Sequence, residues 1–171
     1  MSKNARKSKQ VAKKPTKLRL SSNFTLAQFL YSKTAKRKGI DNTPPRKIIK
    51  NLELLAAGLE QVRSLLRYPI AVSSGYRCKA LNAAVGGSKT SQHVLGLAAD
   101  FSCKRFGSAY RVCKAIAESA IEFDQLIHEY GKSKAEQWIH LGLGPKKRRQ
   151  ILTIWASKRV YRKGLHRYLR K

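Results

Sequence analysis

An aspartate stands inside an apolar run, Leu97-Ala98-Ala99-Asp100-Phe101-Ser102. The run follows a glycine and has the length of a short strand, and in a strand alternate side chains share a face. Ala98 and Asp100 are therefore expected on one face, with Leu97, Ala99 and Phe101 on the other. A buried carboxylate without a partner is costly, so the chain has to bring something that accepts the charge. Seven residues earlier, Ser91-Gln92-His93-Val94-Leu95-Gly96 delivers an imidazole. Neutral imidazole and carboxylate are both good zinc ligands. Two ligands do not close a site, and Trp138-Ile139-His140-Leu141-Gly142 offers another histidine in a strand-like run. His93, Asp100 and His140 are read as three protein ligands for Zn2+, with the fourth position open to water. That is the arrangement of a catalytic zinc site, since structural sites are closed by four protein ligands.

The remaining periodicities place these residues on a scaffold. Apolar residues at Ile48, Leu52, Leu55, Leu59, Val62 and Leu66 form a helical stripe between Pro45 and Pro69. Residues 69–74 read as a short strand running into Gly75-Tyr76-Arg77-Cys78, and residues 79–85 as one or two helical turns. A helix is expected over 108–123. Residues 124–130 and 137–143 read as a hairpin around Gly131-Lys132-Ser133-Lys134, with Trp138 and His140 on one face. His128 and His166 lack neighbours at ligand spacing that would complete a second site.

Charge sets the ends apart. The 171 residues carry 37 Lys+Arg against 9 Asp+Glu, a net +28, and neither residues 1–19 nor residues 145–171 contain an acid. Three segments follow: a basic disordered arm (1–20), a folded domain (21–144), and a basic extension (145–171) in which Trp155, Tyr161 and Tyr168 alternate with cations. The ends suit a polyanion such as nucleic acid or teichoic acid. Stacking on single-stranded nucleic acid, contact with an anionic surface, and a terminal helix packed on the body are all open for the extension. Three cysteines without CxxC spacing argue against a disulfide framework. No apolar run reaches the ~20 residues of a membrane span, and the basic N-terminus lacks the apolar stretch of a signal peptide.

The combined pattern Ser74-Gly75-Tyr76-Arg77, Ser91-x-His93-x-x-Gly96-x-Ala98-x-Asp100 and Trp138-Ile139-His140 resembles the zinc D-alanyl-D-alanine carboxypeptidases and related phage endolysins, in their small single-domain branch. Asp41 to Pro45, Leu81 to Gly87 and Phe123 to Ile127 are similar to that branch as well, so that the resemblance spans about residues 23–143. It implies an α+β fold in which helices pack against a small antiparallel sheet that carries the zinc. The implied reaction is hydrolysis of a peptide bond in peptidoglycan stem peptides or cross-links. By position His93, Asp100 and His140 would ligate zinc, Arg77 would bind the substrate carboxylate or steady the oxyanion, and Ser91 would contact substrate. The chain departs from the family where related enzymes often carry a glutamate three residues before the last ligand, because that position is Gln137. Glu129 and Glu136 are the candidate general bases. Cys78 stands where serine is common in the family.

Two function classes follow. The first is a zinc peptidase of the cell wall, phage-encoded, cytoplasmic until released or carried in a virion, and held on anionic polymers by its ends. The second is a metal-site domain without catalysis, acting as a nucleic-acid-binding or virion structural protein through those ends.

Overall fold

The computed structural model describes residues 18–155 and 160–168. Most of the expected basic arm, residues 1–17, lies outside the described residues, as does part of the extension.

Two short helices, α1 (Leu26–Leu30) and α2 (Lys33–Lys38), lead into the long α3 (Arg46–Leu66). Thr25 and Gln28 form a capping box on α1, satisfying two of the donors a helix start leaves open. Pro45 precedes the first turn of α3, where its missing N–H costs nothing. All six residues of the expected stripe are buried: Ile48, Leu52, Leu55, Leu59, Val62 and Leu66. The periodicity thus predicted both the helix and the face it buries.

The strands are β1 (Ala71–Ser74), β2 (Ala98–Ser102), β3 (Gln125–Tyr130), β4 (Gln137–Gly142), β5 (Gln150–Trp155) and β6 (Val160–Lys163), in the order β1-β2-β4-β3-β5-β6. One face, through Ala99, Phe101, Leu126, Ile139 and Leu141, packs in a single core with α3 and with α5 (Ala109–Ala117). The other face is open and carries Asp100 and His140. Between β1 and β2 come α4 (Lys79–Ala84) and a 3-10 turn (Gln92–Leu95); the turn packs against β2, and α4 against the turn.

The α+β fold is as expected, but the sheet is mixed. β3 pairs antiparallel with β4 and parallel with β5. The sheet also continues past residue 144, with β5 (Gln150–Trp155) and β6 (Val160–Lys163) as two of its strands, where the sequence suggested a separate extension or a terminal helix. The basic run between β4 and β5 explains how they are fastened. Arg148 pairs with both oxygens of buried Asp124, each at 2.7 Å. Arg149 donates to the carbonyls of Ile121 (2.8 Å), Ala117 (2.9 Å) and Ser119 (3.3 Å). It thereby satisfies the last carbonyl of α5, that of Ala117, which has no intrahelical partner, and two carbonyls of the segment that follows. α5 is shorter than the expected 108–123, and the chain beyond it turns the Ser119 and Ile121 carbonyls toward Arg149.

Candidate metal centre and catalytic cleft

Asp100 and His140 are paired residues of β2 and β4 and share the open face. His93 reaches the same point from the 3-10 turn, which three contacts hold in place. Ser91 Oγ caps it by accepting from His93 N at 3.4 Å, Asn51 of α3 donates to the Leu95 carbonyl at 2.8 Å, and Gly96 ends it at φ 69°. A Cβ at Gly96 would lie 2.8 Å from Ile48 Cγ2, so both the left-handed backbone and the close approach to α3 call for glycine.

Three donor atoms converge. His140 Nδ1 lies 2.9 Å from Asp100 Oδ1. His93 Nε2 lies 3.1 Å from that oxygen and 3.1 Å from His140 Nδ1. All three residues are buried, at 2%, 7% and 7% exposure for His93, Asp100 and His140. The other nitrogen of His93, Nδ1, lies 2.6 Å from the Gly75 carbonyl, and a carbonyl only accepts, so Nδ1 carries the hydrogen. In the neutral ring Nε2 then turns a lone pair toward a carboxylate oxygen, and a cation between them reconciles two acceptors at that distance. Ligands bound at about 2.0–2.1 Å in tetrahedral geometry stand about 3.3 Å apart. The observed triangle is close to one face of that tetrahedron, so the residues present fit one metal ion.

Arg77 holds the remaining oxygen of Asp100: its Nη2 donates to Oδ2, while its Nε donates to Ser74 Oγ at 2.9 Å. Burial pushes the Asp100 pKa up, but His93 and His140 beside it outweigh burial and hold the carboxyl well below the usual carboxylate range. Buried Asn42 in turn fixes the Arg77 loop. Its Nδ2 donates to the Tyr76 carbonyl at 2.9 Å and its Oδ1 accepts from Cys78 N at 2.7 Å.

The donors open into a cleft of about 670 Å3 lined on one side by Arg77, Ser91 and Gln92, and on the sheet side by Ile127, Glu129 and Trp138. The two candidate bases part company here. Glu129 pairs with Trp138 across β3 and β4 and faces the cleft, as Trp138 does. Burial first, then the Asp100 charge, pushes its pKa up to about 7. Glu136 sits in the hairpin turn, where its Oε2 accepts from Lys132 N at 2.8 Å, and it is not among the cleft-lining residues. Gln137 points to the helix side and its Oε1 contacts His128 Nε2 at 3.0 Å, so the position that holds a glutamate in the related pattern is turned away from the metal centre here. His128 is a hydrogen-bonded core histidine.

Sequence reasoning missed the Arg77–Asp100 pair, the cross-strand pairing of Trp138 with Glu129 and the entry of β5 and β6 into the cleft wall. The second follows from strand register, at which the alternation of Trp138 and His140 hinted, whereas the first depends on the loop that Asn42 fixes.

Residues 22–142 match the family described as Peptidase M15. No curated protein matches the chain.

Proposed function

Because the chain belongs to the Peptidase M15 family, whose members are metal-dependent peptidases, we propose that it is a zinc peptidase that hydrolyses a peptide bond in peptidoglycan stem peptides or cross-links. The observation that carries this reading is the triangle of His93 Nε2, Asp100 Oδ1 and His140 Nδ1, with sides of 2.9 to 3.1 Å, at the floor of an open cleft. Two imidazoles, one carboxylate and an open side form the donor set of a catalytic zinc site.

Bound zinc would supply a Lewis acid that polarises the scissile carbonyl and lowers the pKa of water toward ~7. The chain's own residues do the rest. Glu129 accepts the proton of the attacking water and returns it to the leaving amine; its raised pKa suits it to both transfers near neutral pH. Trp138 stands beside that carboxylate as its cross-strand partner. Gly75 fixes the His93 tautomer through Nδ1, and Arg77 fixes the carboxylate of Asp100 through Oδ2. Such outer partners orient ligands and raise their affinity for metal. Arg77 and Ser91 also line the cleft, and we assign them substrate contact, Arg77 to a carboxylate or the developing oxyanion.

The charge of +28 supports a further part of the reading: the basic ends hold the enzyme on an anionic polymer, wall teichoic acid or nucleic acid, and the enzyme acts at the wall after release from a cell or a virion. No helix among the described residues is long and apolar enough to cross a membrane.

Mass spectrometry of muropeptides after incubation with the zinc-reconstituted protein tests the reading. Loss of a terminal D-alanine or of a cross-link, abolished by chelator, is expected. Bound zinc with no cleavage would overturn it and favour a non-catalytic, polyanion-binding role for the basic chain.

A further inference from the structure

The family match ends at residue 142, yet the cleft does not. Arg148, Leu152, Ile154 and Tyr161, all beyond that point, line the same cleft as His93, Asp100 and His140.

Register shows how. Asp100 pairs with His140, His140 with Ile127, Ile127 with Leu152, and Leu152 with Lys163, so these residues form one row across five strands. The adjacent row on the same face runs Trp138, Glu129, Ile154, Tyr161. Neighbouring strands stand about 4.8 Å apart, so the row from β4 to β6 reaches about 14 Å from the metal ligands. At about 3.3 Å per residue, that is the span of roughly four residues of extended peptide. The floor of the path is apolar (Ile127, Leu152, Ile154), and Tyr161 at its far end is 67% exposed. The path is also firmly seated, through the parallel pairing of β5 on β3 and the Arg148–Asp124 and Arg149–carbonyl bonds already described.

We propose that β5 and β6 form a substrate platform that selects for length. The scissile bond lies at the metal, and an extended peptide arm of about four residues with small or aliphatic side chains lies across Ile127, Leu152 and Ile154 to end against the ring of Tyr161. The preferred substrate is then a bond inside or branching from a longer peptide, ahead of a free terminal dipeptide. This inference rests on the peptidase reading, and its test separates the two.

The full-length zinc-loaded protein and its Tyr161→Ala and Tyr161→Phe variants are compared on a cross-linked muropeptide dimer and on a short acyl-D-alanyl-D-alanine peptide. Removing the apolar cover of one or two methylene groups changes affinity by roughly tenfold. Tyr161→Ala is expected to lower kcat/KM for the dimer by about that factor, through KM, and to leave the short peptide unchanged. Tyr161→Phe is expected to match the parent. Equal losses on both substrates, or none on either, overturn the platform. Binding of the same two compounds to the metal-free proteins, by calorimetry, gives a readout that needs no turnover. The dimer is expected to bind more tightly, with the difference lost in Tyr161→Ala, and equal affinity overturns the platform. Failure of all hydrolysis would remove the peptidase reading while leaving this comparison decisive.

Discussion

Arg77 and Asp100 form an ion pair on the oxygen that Asp100 turns away from His93 and His140. One carboxylate is thus divided between two tasks, Oδ1 toward the metal centre and Oδ2 toward a guanidinium whose side chain is 17% exposed. A planar fork suits this role and an ammonium does not. Arg77→Lys is therefore expected to weaken zinc binding about 10–100-fold, the usual effect of losing an outer partner. Titration against a competing chelator measures it, and unchanged affinity would confine Arg77 to substrate binding.

The three ligands should be separable from the fold. His140→Ala is expected to abolish stoichiometric zinc, read by elemental analysis, and with it all chelator-sensitive hydrolysis. Asp100→Ala should do the same and also destabilise the chain, because it leaves Arg77 partly buried without its partner. Breaking a buried pair in this way costs about 3–5 kcal/mol.

Glu129 carries the pH dependence. Its folded pKa of about 7 lies above the ordinary glutamate value of 4.5, so in the metal-free protein its stabilising contribution is complete below pH 4.5 and is lost as pH rises through 7. Glu129→Gln should match the parent in acid and exceed it in alkali by up to about 3 kcal/mol, as thermal melts across that range would show. Its turnover should fall about 10²–10⁴-fold with zinc retained. In the loaded parent, activity should rise with pH along a limb at or below about pH 7, since the cation draws the carboxyl downward.

Glu136→Gln provides the contrast. Its carboxylate serves the hairpin turn, so hydrolysis should stay within about twofold of the parent and stability within about 1 kcal/mol, the worth of one such hydrogen bond. A large loss of turnover here, with none in Glu129→Gln, would reverse the assignment of the base.

Gly96→Ala tests the turn that delivers His93. The left-handed conformation costs alanine about 1–2 kcal/mol, and the contact with Ile48 adds to it. A lower melting temperature together with weaker zinc binding is expected. A lower melting temperature with intact zinc binding would mean that the turn does not position His93.

The sequence by itself determined those features in which local order suffices. The α3 stripe follows from helical period, and the shared face of Trp138 and His140 from strand period. His93, Asp100 and His140 stood out because ligand-type residues in apolar runs need a common partner. Pairings between distant segments were decided only in the tertiary structure. β3 lies beside both β4 and β5, and that adjacency alone brings Leu152, Ile154 and Tyr161 into the cleft. Alternation placed Glu136 and His140 on one face, yet the turn hydrogen bond draws Glu136 away, and the register of β3 on β4 presents Glu129 in its place. Lys146-Lys147-Arg148-Arg149 reads as free positive charge in one dimension. In three, Arg148 is committed to Asp124, and Arg149 to the carbonyls of Ala117, Ser119 and Ile121 at and beyond the end of α5. The physical reason is common to all three cases. Backbone period and side-chain chemistry are properties of a few neighbouring residues, whereas the partner that a strand edge or a guanidinium finds depends on how the whole chain packs.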